Sequence, residues 1–89
     1  MRSNQFYQVR RADWEELTRL LDRSQRGLGR LTPDEIDSLG RLYRAATSDL
    51  ALAQRDFPGQ RVTQYLNQLV ARAHATVYRD EPLALQRLW

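Results

Sequence analysis

The most informative part of the sequence is residues 31–57, which read LTPDEIDSLGRLYRAATSDLALAQRDF. Near the start of this stretch, the hydroxyl of Thr32 can accept a hydrogen bond from the amide of Glu35. The carboxylate of Glu35 can in turn accept one from the amide of Thr32. Pro33 stands between them at the first helical position, where no backbone donor is needed. This capping pattern predicts that a helix begins at Pro33.

An apolar stripe follows this start. Its members are separated alternately by three and four residues, which places them on one side of a helix for about six turns. They are Ile36, Leu39, Tyr43, Ala46, Leu50, Ala53 and Phe57. Leu42 and Leu52 flank the stripe, so the apolar side is wide enough to contact two neighbouring helices. The stretch therefore predicts a helix over residues 33–56 at the middle of an all-α, antiparallel three-helix bundle, and Leu50→Asp is expected to unfold it.

Two further helical patterns lie on either side of the central one. Residues 5–26 form the first, which Ser3 or Asn4 can cap, although Asp13 is a second candidate start that would leave 5–12 as a separate turn. Residues 60–79 form the third, after a reversal at Pro58-Gly59. The predicted core positions are Phe6, Val9, Trp14, Leu17, Leu20 and Leu21 in the first pattern, and Val62, Tyr65, Leu66, Leu69, Val70, Ala73 and Val77 in the third.

Glycines mark the first connection and one position inside the central helix. Gly27 and Gly29 follow basic residues, as at many helix ends, and Leu28 and Leu31 are expected to fold back over the bundle. Gly40 costs the helix about 1 kcal/mol relative to alanine. Either a bulky aromatic such as Trp14 approaches it closely, or it is a tolerated surface glycine.

The carboxyl-terminal residues are expected to be separate from the bundle. The run Arg79-Asp80-Glu81-Pro82 breaks the third pattern, which limits the predicted domain to residues 1–80. A short helical segment then restarts within residues 81–89.

Composition narrows the class of protein. The chain has no cysteine, which excludes a disulfide-stapled scaffold, and no apolar run approaches the ~18 residues of a membrane span. Its 14 basic residues are all arginine, with a net charge of +3, but they are spread over the chain rather than lined up on one helix. A nucleic-acid-binding module is therefore only an alternative interpretation.

Six polar residues on the second and third helices are candidates for a polar network between helices or for a partner-binding surface. Asp49 lies at the edge of the predicted helix interface and is expected to pair with an arginine, either Arg72 or Arg44. His74, the only histidine, follows Ala73 on the apolar side of the third helix and lacks the second ligand or nucleophile that metal binding or catalysis requires. No catalytic, metal or cofactor-binding residue is predicted. The six candidates are Tyr43, Arg44, Asp49, Asn67, Arg72 and His74.

These residues also carry a resemblance to a known family. The chain is similar to the signature of the stage II sporulation protein M family at Leu42-Tyr43-Arg44, Asp49-Leu50-Ala51, Tyr65-Leu66-Asn67, Leu69-Val70, Arg72-Ala73-His74 and Tyr78. Phe6, Trp14, Leu17 and Leu21 extend the resemblance toward the amino terminus. It covers residues 6–78.

The resemblance implies a non-enzymatic cytoplasmic helical region of a multi-pass bacterial membrane protein, with the membrane spans following residue 89. Residues 81–89 would then be a juxtamembrane segment, in which Trp89 and Arg87 suit the membrane interface. In spore formers, members of this family resemble a scaffold that gathers peptidoglycan-degrading partners. The expected partners are therefore cell-envelope or other membrane proteins, or further copies of the chain, and no cofactor is expected.

Overall fold

A computed structural model describes the backbone of residues 2–88 and the side chains of residues 2–78. Within this part of the chain there are three α-helices: α1 (Ser3–Arg23), α2 (Pro33–Asp56) and α3 (Arg61–Leu88), with a 3-10 turn at Leu28–Arg30. Contacts of Asp49 with Arg10 and of Glu35 with Arg23 show that α1 and α2 run in opposite directions. Each helix contacts the other two. The predicted all-α three-helix bundle is confirmed.

The start of α2 has the predicted capping arrangement. The amide of Glu35 donates to Oγ1 of Thr32 at 3.1 Å, and the amide of Thr32 donates to Oε1 of Glu35 at 2.9 Å. These two bonds satisfy donors that the first turn of a helix otherwise leaves unpaired. The observed bounds of α2 therefore agree with those expected from residues 33–56.

The buried side of α2 follows the predicted stripe, but it is rotated about the helix axis toward Leu42. Leu39, Leu42, Ala46 and Ala53 are fully buried, whereas Leu50 is half-buried and Ile36 is 41% exposed. Leu42 was expected only to flank the stripe. It is buried because α1 covers the side of α2 that carries Leu42. The other buried apolar side chains are Phe6, Trp14, Leu17, Leu20, Leu21, Leu31, Phe57, Leu66, Leu69 and Ala73.

The first helix differs from its expected bounds at both ends. It begins at Ser3 without a separate turn over residues 5–12, and the amide of Arg2 donates to Oε1 of Gln5, so neither Ser3 nor Asn4 is the cap. It ends at Arg23 because the chain turns at the buried Ser24 and reverses through Gly27, whose φ is +118°. Val9 was expected in the core but is 69% exposed.

Both connections fold back onto the bundle. Leu31 is buried and Leu28 packs against the core, as the sequence predicted. At the second connection, Oγ1 of the buried Thr63 donates to the carbonyl of Phe57 at 2.6 Å and lies 3.3 Å from that of Ala53. Thr63 thereby ties the first turn of α3 to the last turn of α2.

Gly40 is not explained by Trp14. A Cβ at Gly40 would meet only Nη1 of Arg44, at 3.4 Å, which is the end of a flexible side chain. The tolerated-glycine interpretation therefore fits the structure, and the close approach of Trp14 was wrong.

The third helix continues through the expected break. It runs to Leu88 rather than ending at residue 79, so Pro82 lies inside the helix, where it removes one backbone hydrogen bond. The proposed membrane approach of residues 81–89 concerns side chains that lie outside the described residues. Within the described part of the chain, none of the helices combines the length and hydropathy that a bilayer-spanning segment needs.

Candidate protein-binding surface

The six candidate residues do not form one cluster. Asp49 lies between α1 and α2, and Arg72 lies between α1 and α3. The other four share the outer side of the α2–α3 pair, away from α1: Tyr43, Arg44, Asn67 and His74.

Asp49 is held by α1. Its Oδ2 accepts from Nε of Arg10 at 2.9 Å and from the indole Nε1 of Trp14 at 2.8 Å. Burial acts to lower the pKa of Arg10, but the hydrogen bond and the charge of Asp49 outweigh it, so this pKa is raised. Asp49 does pair with an arginine of a neighbouring helix, but both named candidates were wrong. Asp49 faces α1 rather than α3, which excludes Arg72, and Arg44 belongs to α2 itself. The place of Asp49 in this network gives it a structural role.

Arg72 pairs with the first helix as well. Its Nη2 donates to Oδ1 of Asp22 at 2.7 Å. On the opposite side of α1, Arg23 and Arg19 contact Glu35. The pKa of Glu35 is lowered by the amide of Thr32 and then by the charges of Arg23 and Arg19. Among the described side chains, every ion pair that joins two helices therefore includes a residue of α1.

The outer side of α2 and α3 is joined by aromatic groups instead. The hydroxyl of Tyr43 and Nδ1 of His74 are hydrogen-bonded at 2.9 Å, with the donor set by the tautomer of the imidazole. The ring of His74 packs against that of Tyr78, with centroids 4.2 Å apart. Tyr78 is 48% exposed, and His74 is exposed although the sequence pattern placed it on the apolar side of its helix. We call the surface formed by Tyr43, Arg44, Asn67, His74 and Tyr78 the aromatic face.

The aromatic face combines flat apolar groups with hydrogen-bonding groups. Its rings offer flat apolar surface with polar edges, and two phenol hydroxyls, an imidazole and an amide offer hydrogen bonds. Arg44 is exposed and forms no ion pair with a described residue. Among the described residues there is also no group of three histidine, cysteine, aspartate or glutamate side chains able to hold a metal ion.

A second surface feature was missed by the sequence analysis. A groove of about 750 Å³ lies where α1 and α3 begin, and Tyr7 and Tyr65 are among the residues that line it. Both tyrosine rings pack against the buried Trp14, with centroids 6.0 and 5.8 Å away. Tyr65 was assigned to the core stripe of α3, but it is 41% exposed. We call this feature the N-terminal groove.

The chain is therefore a small all-α bundle with an exposed aromatic face. Residues 4–79 match the family described as a domain of unknown function, DUF8413, and the chain belongs to that family. It has no significant match among the curated proteins or the solved structures. The family description names no activity, and the resemblance to stage II sporulation protein M stays a prediction.

Proposed function

We propose that this chain is a protein-interaction domain that acts by binding, not by catalysis, through its aromatic face. The observation that carries the proposal is the arrangement of Tyr43, His74 and Tyr78. His74 contacts Tyr43 of α2 and Tyr78 of its own helix, yet all three rings remain partly or largely open to solvent. Aromatic side chains are enriched in the buried centres of protein interfaces, where they contribute large contact areas at a low entropic cost.

The occupant that suits this face is a helix of a protein partner that carries a carboxylate. The outer sides of α2 and α3 form a shallow surface between two packed helices, on which a third helix can lie. Arg44 follows Tyr43 in α2, is exposed and has no acidic partner among the described residues, whereas the arginines that join α1 to the other helices are paired. A carboxylate on the partner would complete the pairing and fix its orientation.

The second part of the proposal concerns location and rests on the resemblance to the stage II sporulation protein M family. We infer that the domain lies on the cytoplasmic side of a bacterial cell membrane, attached to spans encoded after residue 89. The partner would then be another protein of the cell envelope. The coding sequence after Trp89 tests this part, since several apolar runs of about 20 residues are expected there. A stop codon at that point would remove the membrane attachment and leave the binding role intact.

Photo-crosslinking in cells of the source organism tests the binding role. A benzophenone amino acid replaces His74, Tyr78 or, as a control on the outer surface of α1, the exposed Ala12. We expect positions 74 and 78 to give the same protein adduct, with an acidic cross-linked peptide, and position 12 to give none. Equal adducts at all three positions would contradict the proposal.

A nucleic-acid adduct at positions 74 and 78 would favour the alternative of an arginine-rich nucleic-acid-binding module. Binding of that kind weakens steeply between about 50 and 200 mM salt, because phosphate contacts release counterions. Binding of a protein helix to the aromatic face is expected to persist over the same range. Repeating the cross-linking in permeabilised cells at both salt concentrations separates the two.

A further inference from the structure

We propose that the N-terminal groove is a second binding site, which takes a peptide segment of a protein partner carrying an aromatic side chain beside a carboxylate. The groove lies between α1 and α3, whereas the aromatic face lies between α2 and α3. The two sites share no lining residue, so either can fail without the other.

The shape of the groove favours an aromatic anchor. Tyr7 and Tyr65 are 39% and 41% exposed, and both pack on Trp14, which is only 1% exposed. The volume of about 750 Å³ lies within the ~300–1,000 Å³ range of ligand sites. The groove is open to solvent along one side, whereas a site for a small molecule usually encloses most of its ligand. A side chain that projects from a peptide fits an open groove better.

The base of the groove is rigid before anything binds. Trp14 is fixed by its hydrogen bond to Asp49 at 2.8 Å and by an edge-on contact with Phe6, whose ring centroid is 5.4 Å away. Because the ring of Trp14 is already fixed, it does not need to be ordered when a ligand binds, which lowers the entropic cost of association.

The charges around the groove favour an acidic segment. Arg61 lines the groove, is exposed and forms no ion pair with a described residue, whereas Glu15 is already paired with Arg11 at 3.4 Å. Arg11 also lies over the ring of Tyr7. The first turns of α1 and α3 contain no acidic residue, unlike that of α2, so they add to the positive potential of the arginines.

Titration of the ¹⁵N-labelled chain with three blocked pentapeptides tests the proposal. The probe is Ac-Gly-Glu-Trp-Glu-Gly-NH₂, and its controls replace both glutamates by lysine or the tryptophan by alanine. We expect the probe to shift the amide signals of Asn4, Tyr7, Val62 and Tyr65 with a Kd of about 1 mM or below, an affinity suited to a single anchor. Both controls are expected to bind at least about five-fold more weakly.

A pair of charge variants locates the carboxylate. Arg61→Glu is expected to weaken binding of the probe at least about five-fold, while Arg41→Glu, with the same change in net charge on the outer surface of α2, changes it less than about two-fold. Folding is retained in Arg61→Glu because an acid is favourable in the first turn of a helix.

Four outcomes would overturn the proposal. The first is that the amide signals of the groove do not shift when the probe is added. The second is that they shift equally with the lysine peptide. The third is that the groove signals shift with protein concentration alone, which would make the occupant a second copy of the chain. The fourth is that free indole-3-acetate binds as tightly as the peptide, which would make the groove a site for a small molecule.

Discussion

The indole Nε1 of Trp14 donates a 2.8 Å hydrogen bond to Oδ2 of Asp49, the same oxygen that accepts from Nε of Arg10. This one carboxylate therefore joins the largest buried side chain of α1 to the middle of α2. With Arg23–Glu35 and Arg72–Asp22, it fixes α1 to both other helices through charged groups. Among the described side chains, no ion pair joins α2 to α3 on their outer side, where we propose that a partner binds.

Asp49→Ala is expected to lower the free energy of unfolding by about 2 kcal/mol, since it leaves the buried Trp14 N–H without its acceptor and removes a partner of Arg10. Urea unfolding followed by tryptophan fluorescence measures the loss. Asp37→Ala removes an exposed carboxylate that forms no ion pair with a described residue and is expected to change stability by less than about 0.5 kcal/mol. Equal stabilities for the two variants would place Asp49 outside the network.

Leu39→Ala is expected to cost about 2–5 kcal/mol because Leu39 is only 2% exposed and its removal leaves a cavity. Leu50 is half-buried, so the carboxylate of Leu50→Asp can reach solvent. That variant should be destabilised but still fold, in contrast to the unfolding expected from the stripe alone. Thermal unfolding followed by circular dichroism measures the stability of both variants. A melting curve like that of the wild type for Leu39→Ala would contradict the placement of Leu39 in the core.

Thr63→Val is expected to cost about 1–2 kcal/mol, because the carbonyl of Phe57 loses a hydrogen bond within a buried connection. Thr47→Val is the matched control. Its hydroxyl also donates to a carbonyl, that of Tyr43, but it is exposed, and water replaces it at a cost below about 0.5 kcal/mol. Chemical unfolding of both variants at one pH gives the comparison, and a similar loss in both would show that the connection is not fixed by Thr63.

Glu35→Gln tests the electrostatic attachment of α1 to α2. Glutamine can keep the hydrogen bond from the amide of Thr32 but loses the charges that face Arg19 and Arg23. Because the pKa of Glu35 is lowered in the folded chain from its ordinary value of 4.5, its stabilisation is full above that value and is lost as the pH falls through the folded pKa. The stability difference between wild type and variant should therefore shrink from pH 6 to pH 3. A difference that stayed constant with pH would mean that the charge of Glu35 has no role.

The sequence predicted the elements better than the contacts between them. Capping at Thr32 and Glu35 is local, so the start of α2 followed from four residues. The partner of Asp49 could not be predicted in this way, because it depends on which side of α2 faces α1. The alternating three- and four-residue spacing leaves the rotation of α2 about its axis undetermined by tens of degrees. The same rotation buries Leu42 and exposes Ile36.

The surface sites were only partly accessible to sequence reasoning. Tyr43 and His74 were identified as candidates, but their hydrogen bond depends on the register of α2 against α3, which no local pattern gives. Tyr65 was assigned to the core stripe of α3 and Tyr7 to no stripe, so the two were not recognised as a pair. Only the parallel arrangement of α1 and α3, separated by a whole helix in sequence, places both rings on Trp14.

The solvent accessibility of the aromatic face in the cell decides whether that face binds a partner. The chain has no cysteine, so Asn67→Cys, Tyr78→Cys and the control Ala12→Cys each introduce a single exposed thiol. We predict that all three thiols react with a maleimide at similar rates in the purified chain. In intact cells, positions 67 and 78 should react at least about ten-fold more slowly, because a partner excludes solvent there, whereas position 12 should be unchanged. Equal labelling of all three positions in cells would contradict the claim that this face binds a partner.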